Sequence, residues 1–112
     1  MQVKQSERDG VVIFLIEGEV NIDTVADLKE MFKELVRSNR RKVLLDFGAL
    51  EYIDSSGLAS LIDLAKGLKT IQGNVFLANL SPKVRSLFGI TKLEKMFKIY
   101  DTQEQAMQDF YG

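Results

Sequence analysis

The sequence predicts an α/β fold: a mostly parallel sheet of about five strands, with an antiparallel strand at one edge, packed with four helices. Two observations carry this expectation. Short runs rich in β-branched residues alternate with stretches whose apolar residues recur every three or four positions, and that alternation implies right-handed crossovers between parallel strands. The chain has 112 residues, 46% of them apolar, which suits one core; no repeat, low-complexity stretch or linker divides it, so residues 1–112 are expected to form one domain.

The elements follow in order. Gln2 to Glu7 alternates weakly and suits an edge strand, with a hairpin turn signalled at Asp9-Gly10. Val11 to Ile16 is continuous and apolar, as in a strand buried on both faces. Val25, Leu28, Met31, Phe32, Leu35 and Val36 trace the first helical stripe. Asp23 or Thr24 is the expected N-cap, Thr24 and Asp27 suggest a capping box, and Ser38-Asn39-Arg40 ends the helix. Val43 to Phe47 is the next strand, followed by a loop at Gly48-Ala49-Leu50, with Tyr52-Ile53 leading into Asp54-Ser55-Ser56-Gly57. Leu58, Leu61, Ile62, Ala65 and Leu68 trace a second helix, closed by Gly73-Asn74. Val75 to Ala78 is a strand, and Ser81-Pro82 starts a third helix, with Gly89 as its stop. Phe97 to Tyr100 is a short strand. Thr102 and Gln105 form a capping box for a last helix, with Ala106, Met107 and Phe110 inward.

Composition narrows the function classes. Fifteen basic residues against sixteen acidic leave a net charge of −1, so nothing electrostatic recommends nucleic acid or an anionic membrane as partner. Cysteine and histidine are both absent, which removes disulfides, thiolate metal sites and the commonest general base. No apolar segment approaches the roughly 20 residues that span a bilayer, and no signal-peptide core follows Met1-Gln2-Val3-Lys4-Gln5. A soluble cytoplasmic protein without cofactor or metal is expected.

The segment that carries chemistry is Asp54-Ser55-Ser56-Gly57, at the expected carboxyl end of the sheet and the start of a helix. The plain reading is that Asp54 or Ser55 caps the helix. Gly57 costs roughly 1 kcal/mol against alanine inside a helix, which hints at a further reason, such as the close approach of another backbone. Phosphate on Ser55 would add about −1.5 to −2 charges. A helix N-terminus favours that charge, while Asp54 next door opposes it; two unit charges about 6 Å apart repel by roughly 3 kcal/mol at an effective dielectric of about 20, worth roughly a hundredfold in affinity at a packed interface.

Tyr52-Ile53-Asp54-Ser55-Ser56-Gly57-Leu58 is similar to the phosphorylation segment of bacterial anti-sigma-factor antagonists, the stand-alone STAS domains. The resemblance extends over nearly the whole chain. Gly18-Glu19-Val20 with Thr24 and Leu28 resembles the early strand-to-helix signature, Val43 to Phe47 the strand before the phosphosite, and Ser81-Pro82, Val84, Leu87, Phe88, Leu93 and Phe97-Lys98-Ile99 the C-terminal half. The resemblance implies a partner switch. Unmodified, such a protein binds an anti-sigma factor that is also a serine kinase and so frees the sigma factor. The kinase then phosphorylates the serine after the aspartate, here Ser55, and a serine phosphatase reverses it. Asp54, Ser55, Ser56, Gly57, Leu58, Asn21 and Asp23 are then the partner-binding residues, with Gly89 and Ile90 extending the docking face; Ser56 stays open as a second acceptor. Asn21 stands where the family often has aspartate, which bears on partner choice, and Asp23 is the nearby acid that could cap the helix instead.

Other readings have their own tests. An enzyme built on Ser55 would need a glycine in place of Ile53 and a histidine base, and no P-loop or metal-ligand spacing is present; Asp46 reads as a strand-end residue. A STAS scaffold, or a ligand-binding subunit of a larger signalling or transport complex without phosphoswitching, is the alternative within the family. Arg40-Arg41-Lys42 reads as a solvated helix end, Met31, Met96 and Met107 as core fillers, and Tyr52 as either core or interface.

Overall fold

The structure is a computed structural model and describes residues 1–111. In chain order the elements are β1 (Gln2–Arg8), β2 (Val11–Val20), α1 (Val25–Arg37), β3 (Lys42–Asp46), β4 (Leu50–Ile53), α2 (Ser55–Thr70), β5 (Asn74–Ala78), α3 (Pro82–Ile90), a 3-10 turn at Leu93–Lys95, β6 (Lys98–Tyr100) and α4 (Gln103–Tyr111). The sheet runs β1-β2-β3-β5-β6, with β1 antiparallel to β2 and the other neighbours parallel.

β2 explains both the depth of the sheet and the position of the site. Its residues alternate between two cores: Val12, Phe14 and Ile16 face the layer of α1, α2 and α3, while Val11 and Ile13 face α4. β3 and β5 split the same way, with Leu44, Phe76 and Ala78 on the α4 side. Two-sided burial is therefore the reason these strands read as continuous apolar runs.

The expected loop after β3 is instead partly a sixth strand. β3 stops beside Leu15, and β4 resumes the same line alongside the second half of β2, pairing Gly18 with Leu50 and Val20 with Ile53. Gly18, at φ +85°, takes up the register shift between the two pairings. β4 was hidden because it is only four residues long and buries only its ends, Leu50 and Ile53.

Several local expectations are corrected. Thr24 holds the N-cap position of α1, as one of the two expected residues, but it makes no side-chain bond to the helix and forms no capping box with Asp27; Asp23 is exposed. Asn21 does the work, its Oδ1 accepting the Asp23 and Thr24 amides at 2.9 and 3.2 Å, while Thr24 Oγ1 accepts the Asn21 amide at 2.9 Å. Gly89 does not stop α3, which continues to Ile90 and ends before Lys92 in the left-handed region. Met31 and Met96 are exposed at the surface and fill no core, whereas Met107 is buried. In the basic cluster, Arg40 pairs with Glu7, and Lys42 lies 4.6 Å over the Tyr111 ring.

Candidate functional site

β4 delivers the chain to the start of α2, and Asp54 makes the turn. Its backbone is extended, and its carboxylate caps the helix: Oδ1 accepts the Ser56 amide at 2.9 Å, the Gly57 amide at 3.2 Å and the Ser56 hydroxyl. Oδ2 accepts the Ile22 amide at 3.2 Å, so the same side chain ties the β2–α1 loop to the head of α2. The Ser56 hydroxyl, together with these three amides, holds the Asp54 carboxyl below the usual carboxylate range against the cost of desolvation. It is an anion at neutral pH.

The choice of cap left open by the sequence falls on Asp54. Ser55 is the first residue of α2 and is exposed, and among the described residues its hydroxyl has no hydrogen-bond partner. Ser56 is half-buried and its hydroxyl is committed to Asp54. The two serines are therefore chemically distinct. Gly57 is buried, and a Cβ there would lie 2.6 Å from Ile53 Cγ1 and 2.8 Å from Val20 Cγ1. Its close neighbours are thus two branched side chains of β2 and β4 rather than a second backbone.

The first turn of α2 also has fewer free donors than a bare helix N-terminus. Asp54 occupies the Ser56 and Gly57 amides with its side chain, and among the described residues the Ser55 amide has no acceptor. The expected welcome of α2 for an added anion is correspondingly reduced.

Beside Ser55 runs a groove of about 550 Å³. Tyr52, Asp54, Ser55 and Leu58 form one wall; Lys83, Leu87 and Ile90 of α3 form the other. Ile90 is 78% exposed, Tyr52 42% and Ile22, in the tethered loop, 73%, so three large apolar side chains stand in water around one serine. Tyr52 thus belongs to the surface, which settles its reading.

The structure therefore brings Asp54, Ser55, Ser56, Gly57 and Leu58 together, with Asn21 one residue from the Asp54 tether and Asp23 solvated beyond it. Gly89 does not line the groove, although Ile90 does. Sequence reasoning missed Ile22 and Lys83. A lone isoleucine between Asn21 and Asp23 was a usable signal for the first; only tertiary structure places the second. Asp46, 5% exposed, is spent on the Gly48 amide at 2.8 Å, Asn79 Nδ2 at 3.1 Å and Gln103 Nε2 at 2.6 Å, which brackets the loops after β3 and β5 against α4. A second groove, of about 450 Å³ between α1 and α2, has the buried side chains of Phe32 and Leu64 in its floor and lies away from Ser55. Among the described residues no helix is long and apolar enough to cross a membrane.

The profile of the STAS domain matches residues 2–106. The chain belongs to the STAS domain family. This STAS domain is 33% identical to BtrV of Bordetella bronchiseptica, a candidate anti-sigma factor antagonist, over 98% of this chain and 95% of that one. Among solved structures it is similar to TM1081 of Thermotoga maritima, likewise a candidate anti-sigma factor antagonist, with a TM-score of 0.91 at 29% identity over 96% of this chain and 92% of that one. It shares its fold with the anti-sigma factor antagonist SpoIIAA of Bacillus. The TM-score is 0.78 for the unphosphorylated form, over 99% of both chains, and 0.77 for the phosphorylated form, over 97% of this chain and 99% of that one, at 20% identity in each case.

Proposed function

We propose that this STAS domain is an anti-sigma factor antagonist whose hold on its partner is switched by phosphate on Ser55. The observation that carries the reading is the contrast between neighbouring serines: Ser55 presents an unengaged hydroxyl at the rim of an exposed apolar groove, while Ser56 is tied to Asp54. The descriptions of BtrV and TM1081, and the existence of SpoIIAA in two phosphorylation states, support it.

In this reading the unmodified face, with Tyr52, Leu58, Ile22 and Ile90, docks an anti-sigma factor that is a serine kinase, and the sigma factor is freed. The kinase brings ATP to Ser55. The Ser55 Oγ–P bond forms as the bond from the γ-phosphorus to the bridging β–γ oxygen breaks, ADP leaves, and the hydroxyl proton passes to a base on the kinase. The product carries about −1.5 to −2 charges beside ionised Asp54, in the middle of a face that must lose water to dock. The complex separates while the fold persists, because Ser55 supports none of the cap. A serine phosphatase restores the hydroxyl. Asn21 accepts two loop amides as an aspartate would, so the loop keeps its shape without the charge, and the difference between Asn21 and an aspartate bears on partner choice rather than architecture.

The test is incubation with the cognate anti-sigma factor kinase and ATP, followed by site mapping by mass spectrometry and a binding titration. Stoichiometric phosphate on Ser55 with loss of the complex is expected. Phosphate on Ser56, or a complex that survives full modification, overturns the reading.

A further inference from the structure

We infer that Lys83 is the counter-cation of the Ser55 phosphate: a positioning residue that holds the modified side chain across the groove between α2 and α3. This rests on the reading of Ser55 as acceptor and concerns what happens to the phosphate once it is there.

The argument begins with what the phosphate lacks. Dianions at helix starts are normally met by free backbone amides. Here the Asp54 carboxylate has taken the Ser56 and Gly57 amides. The Asp54 carboxylate is itself an anion, and Glu51 lines the same groove. A phosphate on Ser55 therefore enters a locally negative site where Asp54 already holds two of the first-turn amides, those of Ser56 and Gly57, and the Ser55 amide is left to meet it, so a side-chain cation has a role to fill.

One cation is in position. Among the described residues Lys83 is the only lysine or arginine lining the groove, on α3 where Ser55 is on α2. It is exposed, and among the described residues it has no carboxylate within ion-pair distance. It lies in the first turn of α3, where Pro82 follows the Ser81 cap and fixes the entry of the helix. A cation there works against the dipole of its own helix, and a phosphate opposite relieves that conflict. Its ammonium is a flexible point charge suited to phosphate without demanding one fixed geometry. The consequence is a closed groove: the phosphate and Lys83 together join α2 to α3, so modification blocks the groove that Leu58 and Leu87 line as well as adding charge.

The experiment places phosphoserine at position 55 during translation, so no kinase is needed, and follows the second phosphate ionisation by phosphorus NMR as a function of pH. A cation on the order of 6 Å away in water-like surroundings lowers that ionisation by about half a pH unit, roughly threefold in proton affinity. Lys83→Met is expected to raise the midpoint by that amount, Lys83→Arg to restore it, and high salt to abolish the difference. Lys69→Met, at the far end of α2, is expected to change nothing and controls for net charge. Equal midpoints in the parent and Lys83→Met proteins, both folded by circular dichroism, overturn the inference. That result leaves the kinase mapping of Ser55 untouched, and a failed kinase assay leaves this titration interpretable.

Discussion

The Ile22 amide donates to Asp54 Oδ2 at 3.2 Å, a bond that joins two loops 32 residues apart in sequence. The other oxygen of the same carboxylate caps α2. One side chain therefore sets both the helix start that presents Ser55 and the loop that presents Ile22. Asp54→Ala is expected to loosen both at once: amide exchange at Ile22, Ser56 and Gly57 should rise together, roughly fivefold or more. Faster exchange at Ser56 and Gly57 with Ile22 unchanged would show that the loop stands without the tether.

The same carboxylate predicts an acid response. Its folded pKa is depressed, chiefly by the Ser56 hydroxyl and then by the amides. A depressed carboxyl contributes stability above its unfolded pKa and loses that contribution as pH falls through the folded value. The cap is therefore complete at neutral pH and released only in acid, below the usual aspartate range. Carbon-detected NMR of the side-chain carboxyl should place the Asp54 midpoint below that of an unstructured aspartate; a midpoint at or above it contradicts the cap.

Gly57 is a packing residue inside a helix. Alanine would recover about 1 kcal/mol of helix propensity. It would also set a Cβ 2.6 Å from Ile53 Cγ1 and 2.8 Å from Val20 Cγ1, both on β-branched side chains that yield little at χ1. Overpacking of this kind costs about 1–3 kcal/mol, so the clash wins and Gly57→Ala is expected to be destabilising. Urea unfolding decides it, and a stabilised variant would mean that α2 can ride away from β4 freely.

The two serines make opposite predictions for stability. Ser55 is exposed and unbonded, so Ser55→Ala should stay within about 0.5 kcal/mol of the parent while blocking modification. Ser56→Ala removes a half-buried hydroxyl bonded to Asp54 and should cost on the order of 1 kcal/mol. Parallel denaturant titrations test the contrast. If Ser55→Ala were the costlier, Ser55 would be a structural residue and its reading as a free acceptor would fail.

The order of the elements and the site segment were legible because they rest on local signals. Val11 to Ile16 is apolar at every position because β2 faces two cores, and Ser81-Pro82 opens α3 as its chemistry demands. Where the sequence misled, a nonlocal contact decided. β4 forms because the β2 edge beyond Gly18 is vacant where β3 stops, and four residues carry no period strong enough to show it. Thr24 and Asp27 have capping-box spacing, but the Thr24 hydroxyl is turned back to the Asn21 amide, and Asn21 accepts the Asp23 and Thr24 amides in the turn before the helix. Met31 and Met96 fit apolar patterns yet fall outside the cores that the sheet defines. The groove wall formed by Lys83, Leu87 and Ile90 lies about 30 residues from Ser55 in sequence, and no periodicity within α3 says which face will meet α2.

The last prediction concerns α4, which among the described residues is the helix that covers the second core of the sheet. The Tyr100 phenol on β6 donates to the Asp109 carboxylate on α4, and the Phe76 ring lies 5.4 Å from Tyr100 and 4.0 Å from Phe110. Burial, then the bond and charge of Asp109, push the Tyr100 ionisation up to about 12. In the unfolded chain a phenol ionises near ~10. Because the folded pKa is the higher one, the unfolded state binds fewer protons across this window, and stability falls as pH rises through it. The contribution of Tyr100 is complete below about 10 and lost by about 12. Ultraviolet titration of tyrosinate should therefore show a late phase that Tyr100→Phe removes. Hydrogen exchange should find the amides of α4 losing protection over the same range, ahead of those in β2 and β3. Loss of protection in all these elements together would mean that α4 is not a separable unit and that the Tyr100–Asp109 contact reports global unfolding.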